Sequence, residues 1–207
     1  MKLYLIRHGY SIANNAKLVT GDKTDPLHQI GISQAKEVGE WIKNLIPLEE
    51  VSLFVTSDWK RANQTAEILF PEATWIVEPA IGETNAGSVK NLPLSEFIDI
   101  NPKFYHFKDN NYPDGESHTQ LNARVIHWLK ELVEDYQGKT VVAVVHSGPI
   151  SCILQEVCNV DMSHFPAFLP MNCSVSRVDF SLDSFGMSNS RLKYFSACSN
   201  KVLSEIC

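Results

Sequence analysis

The chain has 207 residues, 44% of them hydrophobic, and its 18 Lys and Arg against 24 Asp and Glu give a net charge of −6. A chain of about this length makes one large domain or two small ones, and its composition excludes disordered, collagen-like and low-complexity classes. No Lys/Arg run is present, which argues against a nucleic-acid partner or an anionic membrane surface, and the apolar run Val141–Val145 is far short of the ~20 residues of a membrane span. The apolar start, Leu3 to Ile6, ends at Arg7. That is too short for a signal-peptide core, so a cytoplasmic protein is expected. Five cysteines, an odd number with no CxxC pair, point to reduced thiols and not to a disulfide or zinc scaffold.

In chain order, Lys2–Ile6 reads as a strand buried on both faces. Ile32, Ala35, Val38, Ile42 and Leu45 recur at helical spacing, which predicts a helix over 33–45 closed by Pro47. Leu53–Thr56 reads as a second strand, running into a helix that carries Ala62, Ala66 and Leu69 and stops at Pro71; Trp75–Val77 is a third. Residues 84–116 read as irregular, broken by Pro93, Pro102 and Pro113 and rich in aromatics from Phe97 to Tyr112. Ser117 to Gln120 fits a capping box at the head of a long helix with Leu121, Val125, Leu129 and Leu132 on its apolar face. The β-branched run Thr140–Val145 predicts a strand, Ile150–Val157 the helix after it, and 174–180 and 191–195 two last strands, joined by a turn around 183–189 and antiparallel at the sheet edge. With no linker or repeat, the expectation is a single α/β domain over 1–207, a three-layer sandwich with a mainly parallel sheet and helices on both faces.

Ligands of such sheets bind beyond the carboxyl ends of the strands. There the sequence places Arg7-His8-Gly9 after the first strand, Ser57 and Arg61 after the second, Glu83 after the third, and His146-Ser147-Gly148 after Val145. Two guanidiniums match phosphate oxygens. A neutral imidazole is a competent nucleophile toward phosphorus. A second imidazole can hold charge on the moving phosphoryl group, and a carboxylic acid can protonate a departing alkoxide. This set performs phosphoryl transfer without a metal. The other histidines, His28, His106, His118, His127 and His164, read as surface or core residues, and His8, His118 and His146 lack the spacing of a metal-ligand set.

Five blocks of the chain, in order, resemble the histidine phosphatase superfamily, also called phosphoglycerate mutase-like. Arg7-His8-Gly9 with Ser11 and Asn14 resembles its RHGxSxxN signature. Asp25-Pro26-Leu27 with Gly31, Gln34 and Ala35 is similar to a second block, and Ser57 with Arg61, Ala62, Gln64, Thr65 and Ala66 to a third. Pro113-Asp114-Gly115-Glu116-Ser117 resembles PxGES, and Val144-Val145-His146-Ser147-Gly148 resembles VxHxG. The resemblance implies the phosphatase branch: a phosphoric monoester hydrolase needing no cofactor or metal and acting on a small phosphorylated metabolite through a phosphohistidine on His8. It implies that Arg7, Arg61 and His146 complete the phosphate pocket, that Glu83 is the proton donor, and that Asn14, Gly9, Ser147 and Tyr10 contact substrate. The alternatives are a mutase-type isomerase and a non-catalytic phospho-ligand binder. Dedicated mutases of the family carry longer insertions after the proton donor.

The chain departs from the family pattern at Tyr10, where a smaller polar residue is usual, at His28 for Thr, at Trp59 for Leu, and at Asn85–Ser88 after Glu83. Residues 94–112 follow the proposed donor and are expected to set substrate choice as a lid, with Lys103 and Lys108 as candidate contacts to a second anionic group.

Overall fold

The computed structural model describes residues 1–182 and 188–199. Its sheet has six strands in the order β3-β2-β4-β1-β5-β6. β1 (Lys2–Arg7) leads through a short helix α1 (Ile12–Asn15) and the long α2 (Gln29–Leu45) to β2 (Val51–Thr56). α3 (Lys60–Leu69) and β3 (Trp75–Val77) follow, then α4 (Leu94–Ile100) and α5 (His118–Asp135). The chain returns through β4 (Thr140–Val145) and α6 (Ser147–Val157), and ends in β5 (Val175–Leu182) and β6 (Ser188–Ala197).

β3, β2, β4 and β1 run parallel, while β5 pairs antiparallel with both β1 and β6. The expected mainly parallel sheet with an antiparallel edge is therefore what forms. Residues 183–187 of the expected turn, and Cys207, lie outside the described residues. Cys152, Cys158, Cys173 and Cys198 are free thiols.

Strand alternation builds the two faces. Leu3 and Leu5 of β1 and Val141, Ala143 and Val145 of β4 point to one side, where α5 and α6 cover them with Leu121, Val125, Ile150 and Ile153. Tyr4, Ile6, Val142 and Val144 point to the other, under Ala35, Val38 and Ile42 of α2 and Ala62, Ala66 and Leu69 of α3. Both faces being covered is why these strands read as unbroken apolar runs, and each large aliphatic chain so buried stabilises by roughly 1.5–3 kcal/mol.

Several elements begin earlier than periodicity indicates. α2 starts at Gln29, not Ser33, because the His28 ring accepts the Ile30 N–H and caps the helix. β2 starts at Val51 across an irregularity between Val51 and Leu53, and α6 starts at Ser147, before its apolar run at Ile150. The Ser117 capping box forms as expected, with Gln120 answering it. The stretch 84–116 is not wholly irregular. It holds α4 and a small core of Ala86, Phe97, Phe104 and Tyr112.

Candidate active site

Topology brings the site together. β1 and β4 are adjacent and in register with Arg7 opposite Val145, so the residues that leave them, His8 and His146, emerge side by side. The His8 N–H donates to the Val145 carbonyl at 3.0 Å, and the two imidazole rings meet edge to face with centroids 4.9 Å apart. β2 lies on the far side of β4, and Ser57 donates its N–H to Val144 O at 3.1 Å.

The tautomer of His8 is fixed by its own loop. Nδ1 lies 2.7 Å from the Gly9 carbonyl, which can only accept, so Nδ1 carries the hydrogen and Nε2 carries the lone pair. Nε2 accepts the Nε–H of Arg61 at 3.0 Å. Burial, then the nearby Arg61 and Arg7 charges, hold this imidazole well below its usual range. His8 is thus neutral at pH 7, with its lone pair on Nε2.

Arg61 sits in the first turn of α3 and is itself buried. Its guanidinium donates to the carbonyls of Thr20 and Asp22, faces Asp25 Oδ2 at 3.5 Å, and lies 4.4 Å over the Trp59 ring. Burial pushes it down to about 10, which still leaves it charged at neutral pH. Asp25 also accepts the Ala13 N–H at 3.1 Å, tying α1 to the same cluster. Arg7 donates from one terminal nitrogen to the Pro170 carbonyl at 2.6 Å, while its Nε is buried without a partner. His146 contacts the Ser57 hydroxyl through Nε2 at 2.8 Å and is also held well below its usual range, by burial first and the Arg61 charge second. Its Nδ1 is a second buried atom without a partner. Buried unpaired polar atoms cost about 1–3 kcal/mol each; Arg7 lines a cleft at the head of the sheet, while His146 is fully buried and does not line it.

Glu83 reaches the site by a loop locked from outside. Arg124 of α5 donates to the carbonyls of Ala80, Gly82 and Glu83 at 2.6, 3.0 and 3.0 Å, and its fork closes on Glu116 at 2.6 and 3.1 Å. Glu116 in turn accepts the Asn85 N–H. So held, the Glu83 carboxylate accepts the N–H groups of Thr84 at 2.9 Å and of Gly148, at the N-terminus of α6, at 3.3 Å. A Cβ at Gly148 would run into Glu83 Oε1, so any larger residue there would push the Glu83 carboxyl group aside.

Arg7, His8, Asn14, Arg61, Glu83 and Ser147 all line one cleft of about 470 Å³. Two residues expected from the sequence to contact substrate, Gly9 and Tyr10, do not line this cleft. Gly9 is buried, donates its N–H to Thr65 Oγ1 at 3.0 Å and offers its carbonyl to His8 Nδ1. Tyr10 lines a neighbouring hollow together with Arg7, Ile30, Gln34 and Met171, and packs edge to face on His28. Lys103 and Lys108 line neither, so they are not cleft contacts. Conversely, His118 is a cleft residue that the sequence reading set aside. It stacks on Tyr105 with centroids 5.8 Å apart and meets Phe165 at a tilt, with centroids 4.6 Å apart. Arg124 also escaped notice, since it lies outside the five blocks and acts on backbone carbonyls. The Glu116 of the fourth block was its signal. Among the described residues no group of three or more His, Cys, Asp or Glu could hold a metal ion, and no helix is long and apolar enough to cross a membrane.

Two histidines and two arginines at the head of a sheet, facing a carboxylate at a helix N-terminus, define a phosphoryl-handling class of site. The sequence profile of the histidine phosphatase superfamily (branch 1) matches residues 3–191, so the chain belongs to that family. It is 28% identical over 187 residues to a probable phosphoglycerate mutase, GpmB, of Yersinia pestis, covering 87% of this chain and 85% of that protein. Among solved structures it is similar to a mycobacterial glucosyl-3-phosphoglycerate phosphatase in complex with VO3, with a TM-score of 0.80, 24% identity and 95% and 98% of the two chains covered. A phosphoserine phosphatase of Entamoeba histolytica in complex with phosphoserine superposes with a TM-score of 0.78 at 23% identity, over 95% and 96% of the two chains. These likenesses establish the fold.

Proposed function

We propose that this protein is a metal-independent phosphomonoesterase that hydrolyses a small phosphorylated metabolite through a phosphohistidine on His8. The observation that carries the reading is the hydrogen bond from His8 Nδ1 to the Gly9 carbonyl, which leaves Nε2 as the lone-pair atom among Arg7, Arg61 and His146. The names of the relatives, two phosphatases and a probable mutase, support phosphoryl chemistry.

When a phosphate group enters, its oxygens compete with His8 for the Arg61 fork and free Nε2 to attack phosphorus. The Nε2–P bond forms as the ester P–O bond breaks, and Glu83 gives its proton to the departing alkoxide. Arg7 and Arg61 hold the charge that builds on the phosphoryl oxygens. A neutral His146 whose Nε2 accepts the Ser57 hydroxyl proton presents Nδ1–H to the same oxygens. Glu83, now a carboxylate, then takes a proton from water as it attacks phosphorus. The P–N bond breaks and returns the electron pair to Nε2, and inorganic phosphate leaves. The free thiols suit a reducing cytoplasm, and the partner is a small substrate and not a nucleic acid or a membrane.

Phosphate release from p-nitrophenyl phosphate, with no acceptor alcohol present, tests the reading. Continuous turnover is expected. A single stoichiometric burst of p-nitrophenol with no phosphate released until an acceptor is added would identify the mutase-type isomerase instead, and binding without release of either product would identify a phospho-ligand binder.

A further inference from the structure

The arginines at the phosphate end are the only Lys or Arg side chains that line the cleft, among the described residues. Beyond them the walls are Leu18, Val19, Leu94, Ile98, Phe165 and Leu169. The polar groups on this side are uncharged or already engaged. The Tyr105 and Tyr112 hydroxyls bond to each other at 3.0 Å. Burial lowers the His118 imidazole below its usual range, so it is neutral at pH 7. Glu83 is the single carboxyl group in the cleft and brings no positive charge to an anionic substituent near the leaving oxygen.

Cations do lie close by, in a second hollow of about 400 Å³ that shares Thr20 and Glu83 with the cleft. Each of them is matched by a carboxylate: Lys23 by Asp58, Lys90 by Asp22 and Arg124 by Glu116. A carboxylate or second phosphate on the substrate therefore finds no unpaired positive charge in either space, and leaving water for an apolar wall costs it several kcal/mol.

We propose that the leaving-group side of the cleft selects phosphomonoesters whose alcohol is uncharged and largely apolar, and selects against esters whose alcohol carries a carboxylate or a second phosphate. The proposal rests on the phosphatase reading for the orientation of the ester, with its phosphate between Arg7 and Arg61. The wall residues come mainly from the segment around α4 and from residues 165–169, so selectivity follows apolar shape more than charge.

Binding of two non-hydrolysable ligands tests this without turnover. Benzylphosphonate and 3-phosphonopropionate share the phosphonate head and differ in carrying an apolar ring or a carboxylate. Titration calorimetry of the whole chain should give a Kd at least about tenfold lower for benzylphosphonate. Ile98→Lys, an exposed position on the wall of the cleft, should narrow that ratio by threefold or more. Equal or tighter binding of 3-phosphonopropionate to the wild-type chain would overturn the proposal. Loss of hydrolysis with the affinity ratio intact would count against the phosphatase reading and leave this one standing.

Discussion

Two imidazoles kept neutral by their surroundings sit side by side at the head of the sheet. The charged form of either ring would sit in a fully buried position beside two guanidiniums, which is why both are held well below an ordinary histidine. This has a consequence for stability with a definite sign. An unfolded histidine titrates near pH 6.5. Between that value and the lower native one, the unfolded chain binds more protons than the native chain, so stability falls as pH is lowered through the window and is unaffected above it. Melting temperature should therefore hold steady from pH 8 to 7 and drop from pH 6.5 downward, with a shallower drop in His8→Gln. Equal slopes for the two proteins between pH 6.5 and 5 would show that His8 is not held neutral. Gly9 and Tyr10 follow His8 directly in the chain, yet neither lines the cleft. Adjacency to His8 in the chain does not decide where an N–H or a ring points, and Thr65, 56 positions away, claims the Gly9 N–H.

At the scale of elements, the loop that carries Glu83 depends on Arg124 in α5. Removing that guanidinium strips three carbonyls and Glu116 of their donor at once. Arg124→Ala should cost about 2 kcal/mol of stability, and should lower kcat tenfold or more for esters of poorly acidic alcohols. The loss should be much smaller for p-nitrophenyl phosphate, whose leaving group departs without a proton. Equal losses on both esters would mean that Arg124 only supports the fold. The neighbouring aromatics divide in the same way. Phe104 is buried with Phe97 and Tyr112, Tyr105 lines the cleft, and Phe107 is 59% exposed and belongs to neither the small core nor the cleft wall. Phe104→Ala should destabilise by roughly 3–5 kcal/mol, Tyr105→Ala should reorder substrates by kcat/KM, and Phe107→Ala should do neither. Melting curves and a small ester panel separate the three. Sequence could not make this division, because residues 94–112 are pinned by packing across the chain and carry no periodic pattern of their own.

For the whole molecule, the order β2-β4-β1 is the central fact, since it sets His8 and His146 next to each other with Ser57 alongside. The parallel core and the histidine–arginine cluster were legible because apolar strands flanked by helices leave one set of carboxyl ends, and the polar residues that follow those strands have nowhere else to converge. Element starts were less so, since caps such as His28 precede the apolar periodicity that marks a helix. With the phosphoryl charge held by two arginines, activity should survive exhaustive dialysis against EDTA. Vanadate should inhibit competitively by taking the five-coordinate geometry of the transition state. Activity lost to the chelator and restored by Mg²⁺ or Zn²⁺ would rule out the mechanism.

The claim on which the rest depends is that phosphorus bonds transiently to His8. Mixing the protein with substrate, quenching in base within milliseconds and mapping peptides by mass spectrometry reads it directly. An added phosphoryl group is expected on the peptide containing His8, absent from His8→Ala, with kcat of that variant lower by about a thousandfold or more. A wild-type chain that turns over with no phosphate on His8, or an Ala variant that keeps substantial turnover, would contradict it.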